Sequence, residues 1–327
     1  KEHEHEQEKK GYDAKKEAAM NSEYEKTQLA AESVNAIEGI MGAFPGYRRA
    51  HAKGVSYKAV FTPNGQASSL TTAPHLQTAQ IPAIVRFSNV APDPTLSDAL
   101  SPAKGLAVQF QLPNGEITNI VATTVPFFIS KTPESFVSFL KALRSGKNGR
   151  PNLRALVKWL TKYPESRSVF RIWKELKPPL SFAQGRYHSI HAFYFVNQEG
   201  HRQAVKYILE PEAGEAAMSN LEAAGKPEDY FEQELENRLA SDMVHFRLKV
   251  QLGKETDPTD DPTKEWPKER RVLMIGRLSI QKERAAGEEL LFDPTVLPEG
   301  IKCSEDQILQ FRRFAYEESY RRRSRNS

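Results

Sequence analysis

The chain has 327 residues, 39% hydrophobic and 27% charged, with 46 basic residues against 42 acidic ones. That is globular composition, long enough to bury a sizeable core, and the near balance of charge argues against a globally basic nucleic-acid surface. A single cysteine, Cys303, excludes an internal disulfide and a zinc ribbon, and no apolar run reaches the roughly 18 residues of a spanning helix.

Residues 1–35 are rich in Glu, Lys, His, Gln and Ala without a strong apolar stripe. They read as a charged tail, disordered or partly helical. His3-Glu4-His5-Glu6 is a weak metal-binding pattern, and composition favours an exposed tail there. Residues 36–327 read as one domain. Period-two alternation predicts strands over Val55–Pro63, Ile84–Asn89, Gly105–Pro113 and Ile117–Thr123. Asn114-Gly115 predicts a two-residue hairpin turn between the last two.

The middle is helical. Thr132 is a candidate N-cap, Pro133 suits the first helical position and Gly146 follows the end. Phe136, Phe139, Leu140 and Leu143 share a face. Leu153, Leu156, Val157 and Leu160 repeat the spacing, and so do Val169, Ile172, Trp173 and Leu176. Strands return over His191–Asn197, Gln203–Glu210, Val244–Leu252 and Val272–Ile280. Eight antiparallel strands, four on each side of the helical block, would close into a barrel and so remove exposed edges. The last segment is a helix, with Ser304 and Gln307 at capping-box spacing.

No GxGxxG, P-loop lysine or HExxH is present. Three short segments carry chemistry-bearing residues: Arg48 to Gly54 (RRAHAKG), Arg86 to Val90 (RFSNV) and Arg312 to Tyr316 (RRFAY). Positions 312, 316 and 323 fall on one helix face. An arginine one turn before a tyrosine favours negative charge on the phenolic oxygen, which makes it a hard ligand for ferric iron. On the residues alone, Arg48 or Arg49 could face solvent, and Arg323 could belong to a solvated Arg321-Arg322-Arg323 end.

These segments resemble the haem catalases, and more closely the short catalase-related peroxidases, over residues 45–323. HAKG and RFSNV are similar to the family's distal side. Leu291 to Thr295 (LFDPT) and Leu297 to Ile301 (LPEGI) lead into RRFAY in the family's order, after Glu265-Trp266-Pro267. The resemblance implies an α+β fold: a catalase-like eight-stranded antiparallel β-barrel with inserted helices and a C-terminal haem-ligating helix. It implies haem b (iron protoporphyrin IX), with Tyr316 as the iron ligand. Arg312 would keep Tyr316 ionised, His51 would be the distal acid–base group and Ser88 would orient it. Arg48, Arg86, Arg323 and His191 would contact the propionates, and Ala50 and Val90 would lie near the distal face.

One position departs from the pattern. The long catalases carry an asparagine near the peroxide, and the matching residue here is Thr124. A threonine there predicts poor placement of a second peroxide. The expected function is therefore a peroxidase that reduces hydrogen peroxide with a small organic electron donor and has weak catalase activity. The alternatives are an organic (fatty-acid) hydroperoxide enzyme and a non-enzymatic haem-binding protein. The expected partners exclude nucleic acid and membrane, and the short stretch after Tyr316 predicts a monomer or homodimer. The expected compartment is the cytoplasm, or the periplasm or exterior if a signal preceded Lys1.

Overall fold

The computed structural model describes residues 2–98, 101–144, 152–286 and 289–325; Gly146 lies outside them, as do the side chains of His3-Glu4-His5-Glu6. The chain opens with α1 (Glu2–Met41) and then forms four strands: β1 (Gly54–Pro63), β2 (Ile81–Asn89), β3 (Lys104–Gln111) and β4 (Ile117–Thr123). Helices α2 (Pro133–Arg144), α3 (Leu153–Lys162) and α4 (Val169–Glu175) follow. Then come β5 (Tyr187–His188), β6 (Phe193–Val196), β7 (Arg202–Pro211), α5 (Asn220–Ala224), α6 (Tyr230–Ser241), β8 (Val244–Leu252) and β9 (Val272–Arg284). A short β10 (Ile301–Cys303) precedes the terminal helix α7 (Gln307–Arg325).

The strands close an antiparallel barrel in the order β7-β5-β4-β3-β2-β1-β9-β8, with β8 pairing back onto β7. β5 and β6 pair with successive parts of the same strand β7, so they form one barrel strand interrupted at 189–192. With that interruption the count is eight, as the alternation predicts. Closure leaves the ring without an edge, and β10 adds onto β6 outside it. The inward residues form one core, including Tyr57, Phe61, Phe87, Phe110, Phe195 and Phe246. Phe87 lies 5.2 Å from Phe182 and 6.1 Å from Phe246, centroid to centroid, so aromatic packing fills the middle of the barrel.

Four local expectations need correction. The β3–β4 turn is a three-residue loop, Pro113 to Gly115, flanked by the Leu112 N–H donating to Glu116 O at 2.8 Å. Pro113 has the fixed φ of a type I turn, and Gly115, at φ 84°, takes the left-handed position alone. The N-cap of α7 is Asp306, not Ser304. Its Oδ1 accepts from the N–H groups of Ile308 (2.9 Å) and Leu309 (3.1 Å). In α3, Leu156 and Trp159 are buried while Leu153 and Val157 are exposed. That short helix packs on α2 along one side, where Trp159 meets Phe139 and donates to Ser135 O. In α4, Val169 is buried and Trp173 is exposed. By contrast, Thr132 does cap α2, accepting from Ser135 N at 3.2 Å.

α1 runs through residue 35 without a break. Its last turns are buried at Ala30, Ser33, Val34 and Ala36 and pack against α2 and α7. The apolar residues that do this recur at helical spacing for only two turns, which the charged surroundings hide from composition. Among the described residues no helix is long and apolar enough to cross a membrane.

Candidate active site

His51 sits between α1 and β1, where the backbone must turn sharply. Its φ is 55°, a left-handed conformation that costs about 1–3 kcal/mol in a non-glycine residue. Several contacts hold it there. Its N–H donates to Val90 O (3.2 Å), and the Arg86 guanidinium donates to His51 O (3.0 Å) and Ala52 O (3.2 Å). The imidazole Nδ1 lies 2.9 Å from Ser88 Oγ on β2. Gly105 of the neighbouring strand makes room for the pair, since a Cβ there would fall 2.7 Å from His51 Nδ1 and 2.8 Å from Ser88 Oγ.

The imidazole is held neutral. Burial, then the charges of Arg86, Arg312 and Arg48, push its pKa down to about 3. When Nδ1–H donates to Ser88 Oγ, Nε2 is left as a free acceptor.

α7 supplies the other wall. Arg312 Nη2 donates to Tyr316 Oη at 2.7 Å, one helical turn apart as the spacing requires. A guanidinium donor favours an anionic acceptor. The helix is anchored through Asp306, whose Oδ2 lies 2.6 Å from His191 Nδ1 while its Oδ1 caps the first turn. His191 stands in the interruption between β5 and β6, where Ile190 adopts φ 65° and re-aims the chain. Asp306 is therefore a site residue that motif reading missed; an aspartate immediately before a helix start was the available signal.

His51, Arg86, Ser88, His191, Arg312 and Tyr316 line one cavity of about 450 Å³, within the usual range for a ligand site, and Asp306 stands behind His191 outside the lining. The cavity gathers ten of the eleven predicted residues: Arg48, Ala50, His51, Arg86, Ser88, Val90, His191, Arg312, Tyr316 and Arg323. Arg48 and Arg323 are 7% and 6% exposed. Arg49 is 5% exposed and also lines the cavity, with its guanidinium paired to Glu38. Arg321 and Arg322 lie outside the lining and pair with Glu318, Arg322 with Glu38 as well. Arg323 is therefore the inward member of its run, while Arg48 and Arg49 both reach the cavity and Arg49 carries a carboxylate partner.

Thr124 is the exception and is corrected. Its Oγ1 accepts from Lys104 N at 3.0 Å and its methyl lies toward Gly185, outside the cavity lining. Thr123 lines the cavity instead. Its hydroxyl is already committed to Val125, donating to the carbonyl at 3.0 Å and accepting from the N–H at 3.2 Å. The strand ends at Thr123, so a one-residue error in matching the motif turns the side chain to the opposite face.

The donor set fits the haem that the resemblance implies. Apolar walls (Val90, Leu106, Val121, Ile308, Phe311) suit a flat macrocycle, the Tyr316 phenol suits ferric iron, and buried arginines suit its two carboxylates. Among the described residues no cluster of three or more His, Cys, Asp or Glu side chains could hold a bare metal ion.

Burial has a thermodynamic consequence. Chiefly through desolvation, His51 and His75 are pushed down to about 3 and His188 to about 4. In the unfolded chain each takes a proton near pH 6.5. The folded state therefore binds fewer protons across this window. Stability from these groups is complete above about pH 6.5 and is lost as pH falls toward their folded values, by up to about 1.4 kcal/mol per pH unit for each histidine. Urea midpoints should fall from pH 7.5 to pH 5; equal midpoints would contradict these assignments.

Fold and cavity together define a class: an eight-stranded barrel with room for a flat, apolar, acidic group between a neutral histidine and an arginine-bonded tyrosine. Comparison with known proteins agrees. The catalase family model matches residues 44–326. A catalase-related peroxidase of Mycolicibacterium paratuberculosis is 35% identical, covering 90% of this chain and 94% of that one. A catalase-related peroxidase of Synechococcus elongatus is 32% identical, covering 89% and 88%. A solved bacterial catalase superposes with a TM-score of 0.75 at 26% identity, covering 85% of this chain, which spans 57% of that longer one. The chain belongs to the catalase family.

Proposed function

We propose that this protein is a haem b peroxidase that reduces hydrogen peroxide with a small organic donor and releases oxygen only slowly. Membership in the catalase family makes it an oxidoreductase acting on peroxide. Tyr316 would hold the iron, and Arg48, Arg86 and Arg323 would face the propionates. When bound, the haem supplies the electrons that cleavage of the O–O bond consumes, and the donor later restores them.

The chain's own part is proton handling. His51 Nε2 takes the proton from the nearer peroxide oxygen. A base this weak gives the proton up readily, and the farther oxygen receives it and leaves as water. Ser88 keeps the ring oriented through both steps. On the opposite wall, Arg312 Nη2 holds Tyr316 Oη in place through its 2.7 Å hydrogen bond.

The observation that carries the preference for peroxidase chemistry is the hydroxyl of Thr123. Catalatic turnover needs a second peroxide held in place for oxidation, and placement governs that rate. With its only proton donated to Val125 O, the Thr123 hydroxyl has no donor to offer the second molecule beside His51. The test compares oxygen evolution with dye oxidation at equal peroxide. Dye turnover should exceed oxygen release, and vigorous oxygen release with negligible dye turnover would overturn the reading.

A further inference from the structure

α1 lies outside the barrel, yet its Ser33, Val34 and Ile37 line the cavity. Glu38 follows on the same helix and joins two other elements. Its Oε1 accepts from Arg49 Nε at 2.6 Å, and its Oε2 accepts from Arg322 Nη1 at 3.0 Å. Arg49 is 5% exposed and also donates to Tyr47 O at 2.9 Å, while its backbone N–H donates to Ser319 Oγ of α7 at 3.2 Å. Arg322 is fixed a second time by Glu318 Oε1 at 2.6 Å. One carboxylate thus ties α1 both to the segment carrying Arg48 and His51 and to the helix carrying Tyr316 and Arg323.

We propose that Glu38 is a positioning residue for the cofactor, setting the separation of the distal segment and α7 and seating the Ser33–Ile37 wall between them. This rests on the haem reading above. The geometry demands a carboxylate, because each oxygen serves a different guanidinium. A glutamine keeps the volume but turns an NH₂ donor toward one of the two arginines. Glu38→Gln should therefore behave nearly like Glu38→Ala. Glu32 makes a useful control, because it lies on the same helix and pairs at 2.7 Å with Lys141 of α2 on the exposed surface.

The experiment measures haem transfer from the loaded protein to excess apomyoglobin, the Soret position, and hydrogen exchange of the amides of residues 33–37. Both Glu38 variants should lose haem about 10–100-fold faster than wild type, as expected for a group that supports ligands from behind. They should also shift the Soret band and exchange faster at 33–37, and Glu32→Ala should stay within about twofold of wild type by the same comparison. Wild-type retention in Glu38→Gln would overturn the proposal, and that variant carries the test if Glu38→Ala fails to fold. A wild-type protein that binds no haem would overturn the haem reading instead. The exchange comparison would then decide the seating of the wall, and unchanged exchange in Glu38→Gln would overturn it.

Discussion

Replacing His51 with alanine should lower kcat/KM for hydrogen peroxide by about 10²–10⁴-fold, the usual contribution of a positioned acid–base group. Haem should remain bound, because the substitution leaves Tyr316, Arg312 and the inward arginines in place. Stopped-flow peroxide consumption by the loaded protein reads the first quantity, and the Soret absorbance reads the second. Ser88→Ala should have a smaller effect in the same direction, since Ser88 acts through the orientation of Nδ1 at 2.9 Å. Unchanged turnover in His51→Ala would end the acid–base assignment and favour a non-enzymatic haem-binding protein.

Removing the phenolic oxygen should act on the other wall. Tyr316→Phe leaves a ring of nearly the same volume but no oxygen for iron, and it leaves Arg312 Nη2 without its 2.7 Å acceptor. Arg312 is half-buried, so its guanidinium would be left facing the cavity without that acceptor. Arg312→Ala keeps the ligand and removes only its support, which should weaken haem retention by roughly 10–100-fold. Tyr316→Phe should weaken it further and change the visible spectrum. A Tyr316→Phe protein with the wild-type spectrum and haem content would exclude Tyr316 as the ligand.

The site was legible in the sequence wherever a residue's direction follows from spacing alone. Arg312 and Tyr316 are one turn apart on a helix, so their contact needs no knowledge of the rest of the chain. Ser88 alternates with Phe87 along β2, and period two assigns them opposite faces. Thr123 and Thr124 show the limit. Two identical residues at a strand end carry no periodic signal, and which of them faces the cavity depends on where the ladder with β3 stops. The arginine runs were ambiguous for a related reason. The terminal run offers Arg323 to the cavity and Arg321 and Arg322 to carboxylates. The first run brings both Arg48 and Arg49 to the cavity, with Arg49 on a carboxylate. Those partners lie up to 284 residues away in sequence.

By itself, the sequence determined the barrel's strand pattern, the terminal helix, the distal and proximal segments and the exclusion of disulfide and zinc chemistry. These follow from local periodicity and residue chemistry. Tertiary structure alone decided that α1 forms a cavity wall, that Asp306 joins His191 to α7, that β5 and β6 form one interrupted strand, and that burial beside three arginines keeps His51 neutral. The physical reason is common to all four. Each depends on contacts between segments far apart in the chain, and on the loss of water that those contacts impose, and neither leaves a periodic trace in the sequence.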